Sequence, residues 1–287
     1  MRKSGVLAVL GWVGRRLRRS PLARSKLLNR WYARIALRAH GSPVVELDGF
    51  RIHYDPRDEV IAKHLVLHGG FERGDIDLLT SFVRPGEDVM DVGANIGLYS
   101  LYLSRSVGEG GRVFSVEPDP DNLELLRRNL QENGCTNAIV CPCALGAEDG
   151  PARLYQDPTN RGALGLEPRG DASTSVTVQL RRASEVLAEH DAKPEVIKMD
   201  VEGAEPLVFA GLGYRPRVML LEFGPGLLAA FGRDPEEWLR TLEQAGYSLE
   251  FVHPYDARRI PVTSRDALER MPEARRGCCN LLALRGV

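Results

Sequence analysis

The segment from Val89 to Gly97 constrains the fold of this chain more than any other feature. It opens with a short, mostly apolar run that predicts a buried strand, and it then turns sharply through Gly93, Asn95 and Gly97. Glycine and asparagine tolerate the left-handed backbone that such a turn requires. The helix expected after the turn would present free backbone amides and the positive end of its dipole, which is how α/β proteins hold nucleotides. We therefore predict a nucleotide site at this strand end.

A second acidic residue supports this prediction. Glu117 follows the next apolar strand, Arg112–Val116, at the place where doubly wound folds bind ribose hydroxyls. A dinucleotide fingerprint has the form G-x-G-x-x-G, whereas the turn residues here occupy every second position after Asp91. This spacing looks like the first motif of methyltransferases that use S-adenosylmethionine (SAM). An ordinary strand-turn-helix with capping glycines is the structural alternative, and an NAD-dependent dehydrogenase is a functional one.

A third segment, Val196–Glu205, reads VIKMDVEGAE, an apolar strand that ends in acids and a helix start. Together with DVGANIG at 91–97 and VEP at 116–118, it closely resembles the FkbM family of SAM-dependent methyltransferases. The likeness extends from about Phe71 to Phe223. It implies that SAM is the cofactor.

Strand-like and helix-like segments alternate from Asp88 onward, which is typical of a parallel sheet with helices on both faces. We expect an α/β fold with a doubly wound, Rossmann-like class I methyltransferase sheet, mostly parallel with an antiparallel final strand. Before it we expect an N-terminal helical and β-hairpin extension, because an Asp48-Gly49 turn separates two strand-like runs. A long loop rich in Gly, Pro and Ser is predicted between the strand-like runs that end at Tyr155 and begin at Val176.

The resemblance implies a set of cofactor-binding residues: Glu72, Asp91, Gly93, Ala94, Asn95, Gly97, Glu117, Pro118 and Ala144. Asp91 would orient the cofactor's ammonium directly or through water, and Glu117 would bind both ribose hydroxyls. Backbone groups around Ala144 would meet the adenine, although many methyltransferases have an acid there. Glu72 matches an acid that precedes the first strand in such proteins, and a helix N-terminal acid explains it equally well.

Catalysis of methyl transfer requires an acceptor held in line with the methyl group and shielded from water, and a neutral hydroxyl must also lose a proton. Asp200 and Glu222 end neighbouring predicted strands at the ligand-binding edge, so either could be the base or could steer the acceptor. Asp200 and Glu202 could equally cap the helix that begins near Ala204. Lys198 faces either the acceptor or an acid partner. A metal held by Asp200 and Glu222 would need a third ligand that the sequence does not place, so no metal site is predicted.

The acceptor is expected to be a hydroxyl on a small-molecule natural product or a glycan, as for most FkbM relatives. Methyltransferases of nucleic-acid bases commonly carry an Asn/Asp-Pro-Pro-aromatic motif after the fourth core strand, where this chain has Asp200-Val201-Glu202-Gly203. The acidic body of the chain would also repel phosphate. We therefore predict no nucleic-acid partner. A noncatalytic module that binds SAM, a membrane or a partner protein is the remaining alternative.

Charge divides the chain into a basic head and an acidic body. Residues 1–40 contain eleven Lys and Arg and no acid, whereas 27 basic and 39 acidic residues follow. The apolar run Val6–Val13 would rise only ~12 Å as a helix, against the ~30 Å of a bilayer core. An interfacial amphipathic helix with peripheral membrane contact fits this head, and a solvated arm or a transit peptide is the alternative. We expect this head at 1–40, a cap at 41–86 and the methyltransferase domain at 87–287.

Five cysteines are present, but Cys-Pro-Cys at 141–143 and the adjacent pair at 278–279 lack the spacing of zinc ligands. Nothing in their arrangement suggests a disulfide framework. A cytoplasmic location is therefore expected.

Overall fold

The computed structural model describes residue 35 and residues 40–68, 70, 72–157, 160–165, 174–253, 257–270 and 277–286. The predicted basic head at 1–40 lies outside the described residues except for positions 35 and 40, so its membrane contact stays a prediction. Within the described part of the chain, no helix has both the length and the apolar character needed to cross a bilayer.

Strands and helices alternate along most of the described chain. The strands are β1 Val44–Leu47, β2 Phe50–His53, β3 Val89–Val92, β4 Val113–Val116, β5 Ala138–Cys141, β6 Ala144–Gly146, β7 Gly150–Asp157, β8 Asn160–Gly165, β9 Thr174–Arg182, β10 Val196–Met199, β11 Val218–Phe223, β12 Ser248–Val252, β13 Arg259–Val262 and β14 Cys279–Leu284. The helices are α1 Glu59–Lys63, α2 Arg73–Thr80, α3 Leu98–Val107, α4 Pro120–Glu132, α5 Ala183–Ala188, α6 Glu205–Gly211, α7 Pro225–Ala230, α8 Pro235–Gln244 and α9 Ala267–Arg270, and a π-helical turn, His64–His68, continues α1.

Among the described residues, eight strands form one large sheet in the order β13-β12-β14-β11-β10-β3-β4-β5. The five strands from β11 to β5 are parallel, and β14 lies antiparallel between β11 and β12. This arrangement confirms the predicted Rossmann-like α/β sheet and its antiparallel final strand. The edge strand β13 was not predicted from the sequence. It carries Pro261, a residue that edge strands tolerate because their outer amides need no ladder partner.

The register of the parallel strands brings charged side chains to one face of the sheet. Asp91 on β3 pairs with Lys198 on β10, and Lys198 pairs with Leu220 on β11. Asp200 and Glu222 follow Lys198 and Leu220 by two residues, and side chains two residues apart on a strand share a face. The neighbouring residues of these strands, such as Met90, face the opposite side, where they join a separate hydrophobic cluster. The charges therefore converge at the carboxyl edge of the sheet.

The predicted hairpin is confirmed as β1 and β2, joined by Asp48 and Gly49 with positive φ values of 51° and 83°. It packs on α4, where Asn129 Oδ1 accepts from the His53 amide at 2.7 Å. Hairpin residues such as Ile52 belong to the same hydrophobic cluster as α3 and the central strands. The cap is thus continuous with the core.

The long loop predicted after residue 155 is partly wrong, because β8 lies within it. Strands β6, β9, β7 and β8 form a second, four-stranded sheet. The sequence of β8, NRGALG, has few of the β-branched or aromatic residues that favour strands, so only its pairing with β7 reveals it. Residues 158–159 and 166–173 lie outside the described residues.

Candidate functional site

A cavity of about 250 Å³ opens at the carboxyl edge of the central sheet, where the sequence predicts the site. Ten of the twelve predicted site residues line it: Glu72, Gly93, Ala94, Asn95, Glu117, Pro118, Ala144, Lys198, Asp200 and Glu222. The structure therefore brings the cofactor and catalytic candidates into one cavity. Asp91 and Gly97 are the exceptions, and both lie directly behind its wall.

The turn after β3 has the predicted left-handed backbone, with φ values of 79° at Gly93, 51° at Asn95 and 89° at Gly97. A side chain at Gly93 would also place its Cβ 1.9 Å from the backbone oxygen of Asp200. A Cβ at Gly97 would lie 2.6 Å from Leu126 Cδ1. Gly93 is thus required by its packing against the Asp200 backbone, and Gly97 by its left-handed backbone. The turn delivers the amino end of α3 to the cavity.

Glu117 is fixed at the cavity wall by two backbone amides. Its Oε2 accepts from the Asn95 amide and its Oε1 accepts from the Asp119 amide, each at 2.8 Å. The side chain is only 3% exposed, and burial raises its pKa to about 7. A carboxylate has about four acceptor positions, so Glu117 can accept further hydrogen bonds from a ligand. Its predicted binding of ribose hydroxyls fits this geometry.

Asp91 is fully buried behind the turn. Its Oδ2 accepts from the Ser100 hydroxyl at 2.6 Å, and burial raises its pKa. Its Oδ1 has no hydrogen-bond partner among the described residues and lies 4.0 Å from Lys198 Nζ. Since Asp91 does not line the cavity, its predicted contact with the cofactor's ammonium would have to run through water.

Lys198 connects the turn to the acids. Its ammonium donates to the Gly93 carbonyl at 3.2 Å and to Asp200 Oδ2 at 3.3 Å, and it lies 5.0 Å from the centre of the Tyr99 ring. Burial opposes its charge, but Asp200 and Asp91 outweigh that effect and raise its pKa. Of the two roles that the sequence left open, the contact with an acid partner is the one present here.

Glu72 lies at the amino end of α2, but it does not cap that helix. Its backbone is left-handed, with φ 50°, and its side chain makes no capping hydrogen bond. Instead Oε2 accepts from the Tyr99 hydroxyl at 2.9 Å, inside the cavity. Burial, reinforced by nearby Asp200, raises its pKa to about 7. Tyr99 was not predicted from the sequence, because an aromatic residue on a helix gives no sign of its partner.

Two acids, Glu202 in the loop after β10 and Glu205 at the first residue of α6, were not among the predicted site residues. Glu205 is 1% exposed, and its Oε1 accepts from the amides of Val201 and Gly203 at 3.0 and 3.3 Å. The N-cap of α6 is Ala204, so neither Asp200 nor Glu202 occupies the capping position that the sequence offered for them. Glu202 has a left-handed backbone, with φ 56°, and lines the cavity. The VIKMDVEGAE motif contains both residues, but their spacing alone does not show where their side chains point.

Comparison with known proteins identifies the family. Residues 91–249 match the sequence model of the Methyltransferase FkbM domain. This chain belongs to the FkbM methyltransferase family. The match includes the glycine turn, Glu117, the β10 loop and Glu222, whereas Glu72 precedes it.

Several known proteins resemble this FkbM chain. Methyltransferase sdnD of Sordaria araneosa is 30% identical over 43% of this chain and 60% of its own length. Methyltransferase 1 of Beauveria bassiana is 27% identical over 43% of this chain and 57% of its own length, so the match spans somewhat over half of these two relatives. Hexuronic acid methyltransferase AglP of Haloferax volcanii is 26% identical over 63% of this chain and 72% of its own length. A crystal structure of an FkbM methyltransferase from Methylobacillus flagellatus covers 87% of this chain and 58% of that one, with 16% identity and a TM-score of 0.43.

Proposed function

We propose that this chain is a SAM-dependent methyltransferase that transfers a methyl group to a hydroxyl oxygen of a small molecule or glycan. The observation that carries the proposal is the single cavity between the Glu117 carboxylate, held by the glycine turn, and the acids at the ends of β10 and β11. The family match supports the enzyme class.

The residues of the cavity fit SAM. Apolar residues near Glu117, namely Pro118, Ala144 and Leu154, offer a surface for the adenine ring. Glu117 supplies acceptors for the ribose, and the amino end of α3 and the Lys198 ammonium suit a carboxylate. Acids nearby suit the ammonium of the methionine part. When bound, SAM supplies a methyl group that is already activated by its sulfonium.

The protein's own residues then have to orient the acceptor, exclude water and remove a proton. Glu72 is the proposed base, because its pKa of about 7 allows it to accept a proton near neutral pH. Asp200, oriented by Lys198, and Glu222 are proposed to position the acceptor hydroxyl. SAM and the acceptor, once bound, are proposed to fill the cavity and to exclude water, which would otherwise compete with the acceptor.

The charge of the site favours a neutral acceptor. Five acids, Glu72, Glu117, Asp200, Glu202 and Glu222, line the cavity together with one base, Lys198, so a phosphorylated or polyanionic acceptor would be repelled. A sugar hydroxyl fits this environment. AglP, by its name, acts on a hexuronic acid, which supports a sugar as the acceptor class but not its neutrality. These observations also support the expectation that nucleic acid is not the acceptor.

The test combines calorimetry with product analysis. SAM should bind the purified chain, and incubation of cell extracts with enzyme and isotopically methylated SAM should yield a labelled product that resists mild alkali, as an ether does and an ester does not. A folded chain that binds NAD and not SAM would overturn the proposal. Label in an ester or an amine would overturn hydroxyl methylation alone, and SAM binding without any labelled product would favour the noncatalytic module.

A further inference from the structure

Three carboxylates, two in the loop after β10 and one on β11, meet at one end of the cavity. Asp200, Glu202 and Glu222 each place a carboxylate oxygen within 4.8 Å of the others. The pairing of Met199 with Leu221 explains part of this convergence, because the residue after each of them is an acid. The left-handed backbone at Glu202 brings the third acid to the other two.

A second observation at this place points to a ligand. The Oε2 atom of Glu222 is buried and makes no hydrogen bond of its own among the described residues, although the carboxyl group as a whole contacts the Asp200 carboxyl and the Cys278 thiol. A buried carboxylate oxygen without a donor is costly, and neighbouring negative charges add to the cost. The ammonium of Lys198 does not relieve it, since its contact in this group of acids is with Asp200 Oδ2. Either a proton or a bound cation would satisfy Glu222.

We propose that Asp200, Glu202 and Glu222 bind one divalent cation of the Mg²⁺ class at the acceptor end of the cavity. Carboxylate oxygens are the ligands that Mg²⁺ and Mn²⁺ prefer, and such sites keep further positions for water or substrate oxygens. Lys198 holds one oxygen of Asp200 from outside the site, as partners of metal ligands commonly do.

The role of this cation rests on the proposed function. A cation that binds the acceptor hydroxyl would lower the pKa of that hydroxyl and orient its oxygen. The proton would then pass to Glu72, which lines the same cavity and is not one of the three ligands. Cation binding itself requires neither SAM nor an acceptor, so it can be measured separately.

The probe is Mn²⁺, followed by electron paramagnetic resonance at pH 8 with the full chain and no SAM. We expect one Mn²⁺ per chain, displaced by Mg²⁺. Glu222→Gln and Glu202→Gln should each weaken binding at least tenfold, whereas Glu148→Gln, which changes an exposed acid elsewhere, should not. Mg²⁺ should raise the Tm of the wild type and not that of Glu222→Gln. In EDTA the Tm of the Glu222→Gln chain should be no lower than that of the wild type, because the substitution removes one of three neighbouring negative charges. The same thermal transition shows that the variant folds.

The results separate this proposal from that of the function. SAM binding is measured by calorimetry in EDTA, separately from the Mn²⁺ measurement. A folded chain that binds SAM but takes up no Mn²⁺ would overturn the cation site and leave the function standing. Mn²⁺ binding that persists in both Gln variants would likewise overturn the site. One Mn²⁺ bound through these acids in a chain that does not bind SAM would overturn the function and leave the cation site standing.

Discussion

Lys198 of β10 and Asp91 of β3 are paired positions on adjacent parallel strands, and the Lys198 ammonium lies 4.0 Å from Asp91 Oδ1. Both side chains are buried. The same ammonium donates to the Gly93 carbonyl. The Lys198 ammonium therefore links Asp91 to the glycine turn above it.

Replacement of Lys198 by Met should destabilise the fold strongly. The change would leave Asp91 and Asp200 without their cation, and the loss of one partner from a buried ion pair costs about 3–5 kcal/mol. Urea unfolding measures this loss. The double variant Lys198→Met, Asp91→Asn should recover part of it, because the uncompensated charge is gone. A single variant as stable as the wild type would show that the pair contributes nothing.

Glu117→Ala should abolish tight SAM binding while the chain stays folded. Hydrogen bonds to a charged group contribute about 1.5 kcal/mol or more each, so the loss of two should weaken SAM binding by roughly 100-fold. Calorimetry measures the affinity, and circular dichroism checks the fold. Glu124→Ala, which changes an exposed acid on α4, is the matched control. Unchanged affinity in folded Glu117→Ala would place the ribose elsewhere.

The free energy of unfolding should fall as the pH rises from about 5.5 to about 7.5. Burial raises the pKa values of Glu72, Glu117 and Glu205 to about 7, above their usual value of about 4.5. Between these values the native state binds more protons than the unfolded state, so the free energy of unfolding decreases with pH. A pKa near 7 corresponds to a loss of about 2 kcal/mol per group between pH 5.5 and 7.5.

Denaturant titrations of the ligand-free chain across this range test the pH effect. Glu205→Gln should flatten the decline by roughly the contribution of one group, because an amide does not titrate. A slope equal to that of the wild type would mean that Glu205 is ionised throughout the range.

Glu72→Gln should separate catalysis from cofactor binding. If Glu72 is the base, SAM affinity should change less than about threefold while turnover of the identified acceptor falls by roughly 10²- to 10⁴-fold. The rise in wild-type kcat with pH near 7 should disappear in the variant. A parallel loss of SAM affinity would instead support the cofactor-binding role that the family resemblance implies.

The sequence predicted those parts of the site that depend on local chemistry. The left-handed turn at Asn95, the position of Glu117 after β4 and the hairpin at Asp48-Gly49 follow from residue types that favour one backbone conformation, and the structure confirms these positions. Buried parallel strands likewise show themselves as apolar runs.

Features that depend on distant pairing were not predictable. The side chain of Glu202 reaches Asp200 and Glu222 because the backbone of Glu202 is left-handed. The side chain of Glu72 is held by Tyr99, which lies 27 positions further along the chain. Strands β8 and β13 exist through their pairing with β7 and β12. No local pattern encodes these contacts, so the third acid near Asp200 and Glu222 appeared only in the folded chain.

The backbone oxygen of Asp200 occupies the space that any side chain at Gly93 would need. The glycine turn that is proposed to bind SAM and the loop after β10 that is proposed to face the acceptor are therefore in direct contact. A variant that tries to broaden specificity by reshaping the second loop will disturb the first. Engineering for new acceptors should start from residues of the cap and the second sheet that line the cavity, such as Ile61 and Leu154.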